Sequence, residues 1–210
     1  MAVGYTPYSQ KLQAFSDKGH ACAQASIYPL IFPNSQLQFI PLPEDQAMTI
    51  DADMGMDRRV LVKVQSLRES FQVMVQERFR KPEWARYQDI TVTEWNNNSN
   101  QPGELYKIKA EMFLYAYYDE TANRFLEAIA FSVLNLKIAL AQGTIPYTTP
   151  NPNSRSNQTF LCFKFDDLEK QHIAVFRKRW ERDLSLEKGI ERARYRSSYY
   201  GDLGKQEGKP

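Results

Sequence analysis

The sequence predicts an α/β fold in which one central mixed β-sheet is flanked by helices. Two nearby segments, DRRVLVKV from Asp57 and FQVMVQERFR from Phe71, alternate apolar and polar residues as half-buried strands do. Other segments carry apolar residues at helical spacing, and one of them, VLNLKIALAQG, ends at Gly143 as helices often do. A chain of 210 residues with 42% apolar composition encloses one such core.

The individual elements follow from local patterns and from helix-ending residues. A leading helix is predicted over 8–28, because prolines follow at Pro29 and Pro33. Alternating or β-branched residues predict extended pieces or strands at LQFI, RRVLVKV, FQVMVQERFR, DITVTEW, FLYAYYD, RFLEAIAF and TFLCFKF.

Further helices are predicted over 103–113, at VLNLKIALAQG, and from DDLEKQHIAVFRKRWERDL, where Asp166 and Glu169 have the spacing of a capping box. These elements are assigned to a single domain over 1–184. Residues 185–210 are predicted to form a charged and partly flexible C-terminal extension.

Composition narrows the protein class. A formal net charge of +2 excludes a polycation that coats nucleic acid indiscriminately, so any basic surface must be local. Cys22 and Cys162 lack a CxxC or Cys/His partner, which predicts buried free thiols in a reducing compartment. No secretion signal is recognisable and no apolar run reaches a membrane span, so we expect a cytoplasmic protein without a membrane partner.

A carboxylate and a polar-then-cationic couple are predicted to converge on the two alternating strands. Asp57 opens the first strand, and Gln76 and Arg78 share one face of the second because they are two residues apart. Pairing around a turn near Leu67 would bring Asp57 close to Gln76. Oxygen ligands there suit Mg²⁺, and a nearby cation stabilises charge that develops on a phosphoryl group. The pattern therefore favours phosphodiester hydrolysis.

The run from Asp57 through DRRVLV to VMVQERF resembles the PD-(D/E)XK, restriction-endonuclease-like nuclease superfamily, over roughly 9–165. Gln76 resembles a Gln-x-Lys variant of the acid-x-Lys motif, and Arg78 replaces its lysine. The resemblance implies a restriction-endonuclease-like core and a Mg²⁺- or Mn²⁺-dependent DNA endonuclease, a hydrolase of restriction or repair type. Arginine stays protonated, so Arg78 is expected to stabilise charge rather than act as a base. A homodimer is compatible with this assignment.

Other residues near the motif are alternative members of the site. Glu77 is the alternative metal ligand to Gln76, although strand alternation sends it to the opposite face. Glu104 and Lys107, three residues apart on a predicted helix, could complete the site. Asp51 and Asp53 could also hold metal.

Outside the motif, His20 and Gln24 could reach the same edge from the first helix, although neither histidine of the chain has a partner at ligand spacing in the sequence. The segment RARYRSSYY is a candidate DNA-contacting surface.

Each assignment has an ordinary structural alternative. Asp57 could pair with Arg58 or Arg59, the Gln76 and Arg78 face could be solvated, and Glu104 with Lys107 could form a helical ion pair. A second hypothesis is accordingly a non-catalytic module that binds nucleic acid or a protein on the same scaffold. A third is a purely structural subunit.

Overall fold

A computed structural model describes residues 7–40, 55–64, 66, 69–150 and 157–180. The chain divides into two units, Met1–Arg179 and Trp180–Pro210, and every element below belongs to the first. The expected extension over 185–210, RARYRSSYY, Asp51 and Asp53 lie outside the described residues. The domain boundary at 184 therefore stays a prediction.

The described part of the chain contains helices, strands and one 3₁₀ helix. In chain order they are α1 (Pro7–Ser26), α2 (Tyr28–Ile31), β1 (Ser35–Ile40), β2 (Arg58–Val64), β3 (Glu69–Arg80), the 3₁₀ helix (Pro82–Tyr87), β4 (Asp89–Asn96), β5 (Gln101–Pro102), α3 (Glu104–Lys107), β6 (Met112–Asp119), β7 (Arg124–Ser132), α4 (Val133–Ala141), β8 (Gln158–Lys164), α5 (Phe165–Lys170) and β9 (Ala174–Arg179).

A six-stranded mixed sheet forms the centre, in the order β1-β2-β3-β6-β7-β9. β3 pairs with β6 in parallel, whereas the other neighbours are antiparallel. The predicted hairpin of β2 and β3 is confirmed, with Val60 opposite Val73. A mixed α/β fold with a central sheet is therefore confirmed.

Both faces of the central sheet are covered. A three-stranded sheet, β5-β4-β8, packs its apolar side chains against those of β6. Helix α1 covers the other face, where Phe15 contacts Tyr118 and His20 contacts Phe79 through their rings. β6 is consequently buried on both sides, which explains the nearly unbroken apolar run MFLYAYY.

The predicted helix over 103–113 is wrong beyond its first turn. Helix α3 ends at Lys107, and β6 begins at Met112. The segment has good helix formers, but the apolar residues Phe113, Leu114 and Tyr115 gain more by entering the sheet between β3 and β7.

The long final helix is also wrong in its second half. Helix α5 ends at Lys170, His172 takes a left-handed conformation with φ of 53°, and AVFRKR forms β9 at the edge of the central sheet. The predicted third strand, DITVTEW, exists as β4 but belongs to the smaller sheet. Cys22 and Cys162 are free thiols as predicted, yet both are partly exposed.

An ion-pair cluster around the buried carboxylate of Glu127 connects β7, β9 and α5. The carboxylate of Glu127 is 4% exposed and accepts hydrogen bonds from Arg177 (2.9 Å) and Arg179 (3.1 Å). Arg177 also donates to Asp166 at 2.6 Å and pairs with Glu169. The two acids predicted to form a capping box therefore bind an arginine of β9, and the N-cap residue of α5 has no side-chain cap.

Gly19 sets how closely α1 approaches β3. A methyl group built on Gly19 would lie 2.5 Å from Cδ2 of Phe79, against a rigid ring. Helix propensity alone predicts that Gly19→Ala stabilises the protein by about 0.5–1 kcal/mol. Overpacking predicts the opposite sign, a decrease of about 1–3 kcal/mol in the free energy of unfolding. We expect this decrease because a rigid aromatic ring cannot bend away from the added methyl group.

Urea unfolding of the Gly19→Ala variant measures this sign. Lys11→Ala, on an exposed position of α1, is the matched control and should change the free energy of unfolding by less than about 0.5 kcal/mol. A stabilised Gly19→Ala protein would contradict the close packing of α1 on β3.

Candidate active site

A cleft of about 430 Å³ lies beside the start of β2 and the second half of β3. It is bounded by α1 on one side and by β4, β5 and α3 on the other. A volume of this size lies within the range of ligand pockets. The residues that line it are Ser16, Gly55, Asp57, Gln76, Glu77, Arg78, Thr93, Asn96, Ser99, Gln101, Pro102, Gly103, Glu104, Lys107 and Gln158.

All six site residues predicted from the sequence line this cleft: Asp57, Gln76, Glu77, Arg78, Glu104 and Lys107. Strand pairing explains the meeting of the first four, because β2 and β3 are antiparallel and the backbone N–H of Asp57 bonds the carbonyl of Val75. The last two arrive through α3, which packs near β4 and β5.

Asp57 is held in a fixed orientation at the start of β2. Its Oδ2 accepts a hydrogen bond of 2.6 Å from the backbone N–H of Glu77. The carboxylate therefore sits against the backbone of β3, at the peptide that joins Gln76 to Glu77. Asp57 therefore lies close to the position of Gln76 on β3, as the sequence predicted.

The amide of Gln76 presents an unpartnered oxygen. The residue is 6% exposed, and its Oε1 is buried with no hydrogen-bond partner among the described residues. Gly55 lies next to it with a positive φ of 52°, and a methyl group on Gly55 would meet Ile108 at 3.0 Å and Gln76 Oε1 at 3.4 Å. Because residue 55 is a glycine, no side chain fills the space next to this oxygen.

Arg78 and Glu104 form an ion pair across the cleft wall. Arg78 Nη2 lies 2.6 Å from Glu104 Oε1, and Arg78 Nη1 donates to the carbonyl of Thr91 at 3.1 Å. Glu104 therefore pairs with the strand, not with Lys107 as a helical ion pair would require. Its second oxygen, Oε2, is buried and has no hydrogen-bond partner among the described residues.

The position of Glu104 depends on the glycine that precedes it. The backbone N–H of Gly103 donates to the carbonyl of Glu94 at 2.7 Å, and a methyl group on Gly103 would collide with the Thr93 carbonyl. Helix α3 therefore begins directly against β4. Lys107, at its other end, is exposed and lines the cleft mouth.

The carboxylate of Glu77 points to the opposite face, as strand alternation predicts. Its side chain is 1% exposed, and both oxygens are occupied. Tyr28 donates to Oε1 at 2.8 Å, while His20 Nδ1 and Arg58 Nε contact Oε2. Glu77 is thus a poor metal ligand, because a cation would have to displace these partners.

Tyr28 is a stable donor in this network. Burial, and then the charge of Glu77, raise the pKa of Tyr28 well above its ordinary value, so the hydroxyl keeps its proton. His20 has no partner at ligand spacing in the sequence. Its partner in the structure is Glu77, which lies 57 positions away in sequence and meets His20 through the packing of α1 on β3.

The donor set is compatible with a hard cation. Among the described residues no group of three histidine, cysteine, aspartate or glutamate side chains could hold a metal. Mg²⁺, however, is commonly held by one or two carboxylates and retains several waters. Asp57 and two oxygens that have no hydrogen-bond partner within the described part of the chain, Gln76 Oε1 and Glu104 Oε2, supply that number and type of donor.

Comparisons with known proteins add little. No protein-family model matches the chain, and no curated protein matches its sequence. The solved structure of a nuclease from a fusselovirus aligns with 83% of this chain and 95% of its own, at 8% identity and a TM-score of 0.31. At that TM-score the likeness carries no argument about fold or function.

Within the described part of the chain, no helix combines the length and apolarity needed to cross a bilayer.

Proposed function

We propose that the cleft is the active site of a metal-dependent DNA endonuclease of restriction or repair type, with a divergent PD-(D/E)XK-like motif. One observation carries the proposal. A carboxylate, an arginine and two buried oxygens without hydrogen-bond partners among the described residues line the same cleft beside two paired strands. Buried polar atoms are normally satisfied, so two exceptions in the lining of one cleft call for a ligand that supplies positive charge or hydrogen-bond donors.

Asp57, Gln76 and Glu104 are the proposed ligands of Mg²⁺ or Mn²⁺. When bound, the ion would polarise a phosphoryl oxygen and make a water molecule more acidic. Glu104 replaces Glu77 as the second carboxylate, because the oxygens of Glu77 are occupied on the other face. Asp57 is fixed for this task by the Glu77 amide, which leaves its orientation independent of substrate.

Arg78 and Lys107 are the proposed phosphate-binding groups. Arg78 is 29% exposed in its side chain and is oriented by the Thr91 carbonyl, so its fork is held at the cleft wall. Its pairing with Glu104 balances that carboxylate until a cation and a phosphate share the site. Lys107 is exposed and serves as a point charge at the mouth of the cleft.

The lining of the cleft favours an extended polar substrate. Thr93, Asn96, Gln101 and Gln158 offer hydroxyl and amide groups, and Ser99 continues this polar wall. Phosphates and sugars of nucleic acid are commonly bound by such groups together with arginine and lysine. A DNA strand is therefore the substrate class that we propose.

The test is cleavage of supercoiled and single-stranded DNA by the purified chain with Mg²⁺, with Mn²⁺ and with EDTA. We expect nicking or cutting with either metal and none with EDTA. If DNA stays intact with both metals while circular dichroism shows a folded protein, the proposed endonuclease activity is refuted.

The Arg78–Glu104 ion pair favours a second function. An arginine and a carboxylate that pair at 2.6 Å are also typical of a purely structural contact. A non-catalytic module that binds nucleic acid would retain such an ion pair. Such a module binds DNA with strong salt dependence, unaffected by EDTA and by Asp57→Ala. Binding that persists without cleavage would select it.

A further inference from the structure

A hydrogen-bond chain runs through α1 into β3 and ends at the cleft. Ser16 Oγ lies 3.0 Å from His20 Nε2, and His20 Nδ1 is hydrogen-bonded to Glu77 Oε2. Ser16 and His20 are one helical turn apart, so α1 holds both on one face. The proposed metal ligands take no part in this chain.

The connectivity has the order of a nucleophile, a base and an acid. A buried carboxylate at Nδ1 fixes the imidazole with that nitrogen protonated, which leaves Nε2 to accept the serine proton. The same order of contacts defines serine nucleophiles on unrelated folds, where it is recognised by geometry and not by sequence spacing.

The acid and the base are rigidly supported. Glu77 is fixed by Tyr28 and Arg58, and the imidazole of His20 packs edge-on against Phe79 at 5.1 Å between ring centres. His20 is 8% exposed, so water has little access to its ring. Ser16 is half-buried and lines the cleft together with Asp57 and Arg78.

We propose that Ser16 is an activated nucleophile that attacks a phosphodiester bound in this cleft, with His20 as general base and Glu77 as a positioning residue. This inference rests on the proposed function, because it requires that the cleft binds a phosphate group. It adds a covalent step that needs no further co-reactant than water.

The two half-reactions balance. Ser16 Oγ forms a bond to phosphorus while its proton passes to His20 Nε2, and the bond from phosphorus to the leaving oxygen breaks. His20 returns that proton to the leaving oxygen. Water then attacks phosphorus and gives a proton to His20, the Oγ–phosphorus bond breaks, and Ser16 recovers its proton.

The test uses diisopropyl fluorophosphate as a probe, in EDTA and without DNA. Attack by Ser16 forms the Oγ–phosphorus bond and releases fluoride, and peptide mass spectrometry locates the adduct. We expect stoichiometric labelling of Ser16 in the wild-type chain and none at this peptide in Ser16→Ala. Ser26, also half-buried on α1 but bonded to the backbone carbonyl of Cys22, is the internal control and should stay unlabelled.

Two further variants test the relay. Glu77→Gln keeps a partner for Tyr28 but removes the charge that faces His20, and His20→Asn removes the base. We expect both to slow labelling by a factor on the order of 10² or more, measured per folded molecule. A purely structural Glu77 would lower the melting temperature and leave that rate unchanged, which would contradict the relay.

The outcomes separate the two proposals. If Ser16 is labelled no faster than Ser26 in the folded wild-type chain, Ser16 is not an activated nucleophile, even if DNA is cleaved with Mg²⁺. If Ser16 is labelled but the chain never cleaves DNA, the proposal of a serine nucleophile is supported and the proposal of a DNA endonuclease is refuted.

Discussion

Asp57→Asn is expected to lower the rate of DNA cleavage by a factor on the order of 10³ while the fold persists. Asparagine can still accept the hydrogen bond from the Glu77 amide, because its carbonyl oxygen replaces Oδ2. The negative charge that would hold a cation is lost. The measurement is the initial rate of plasmid nicking in Mg²⁺ at saturating enzyme.

One control and one second variant make this result specific. Asp17→Asn removes an exposed carboxylate of α1 that bonds Gln13 and does not line the cleft, so its rate should equal that of the wild type. Glu104→Gln should reduce the rate strongly as well, since it removes the other proposed charged ligand. Cleavage that survives both Asp57→Asn and Glu104→Gln would rule out the proposed metal site.

Arg177→Met is expected to lower the free energy of unfolding by about 3 kcal/mol. The substitution removes one of two arginines from the buried carboxylate of Glu127, both ion pairs of Arg177 with α5 and its contact with the Phe165 ring. Arg179 remains beside Glu127, which keeps the loss near the lower end for a broken buried pair. Urea unfolding measures it, with Arg86→Met, an exposed arginine over Tyr87, as a control that should lose less than about 1 kcal/mol.

The double variant Glu127→Leu with Arg177→Met should recover part of this loss, because it also removes the buried Glu127 carboxylate, whose charge Arg179 alone compensates only in part. An equal or larger loss in the double variant would show that packing, not charge, dominates the cluster.

Acid should weaken the same cluster in the wild type. The hydrogen bond from Arg177 lowers the pKa of Asp166 below its ordinary value of 3.8. A carboxyl with a depressed folded pKa contributes stability above its unfolded pKa and loses it as the pH falls through the folded value. The wild type should therefore lose this contribution below about pH 4, and the Arg177→Met protein should show less of that dependence.

The parts of the fold that the sequence predicted well are those in which local pattern and tertiary packing agree. In β2 and β3 the apolar residues alternate, and a one-residue slip would expose Val60 and Val62, so the register was fixed. The same alternation placed Gln76 and Arg78 on one face and Glu77 on the other. Asp57, Gln76 and Arg78 were thereby brought to one cleft by local rules alone.

The parts that failed depend on partners distant in sequence. AVFRKR looks helical beside DDLEKQ, but β7 offers an edge and Glu127 offers a buried charge for Arg177. The relay from Ser16 to Glu77 was missed for the same reason. An i, i+4 serine and histidine on a helix is a weak signal until a carboxylate is seen behind the histidine, and no sequence spacing encodes that neighbour.

The pairing of β4 with β8 has a consequence for when activity can arise. β4 carries Thr93 and Asn96 of the cleft wall, and its long partner β8 begins only at Gln158, itself a lining residue. Without β8, the pairing of β4 with other strands would be reduced, among the described residues, to the two-residue ladder with β5. A nascent chain emerging from the ribosome therefore completes this wall of the cleft late, after Asp57 and Arg78 have been synthesised. An active site in this cleft would stay incomplete until β8 has been synthesised.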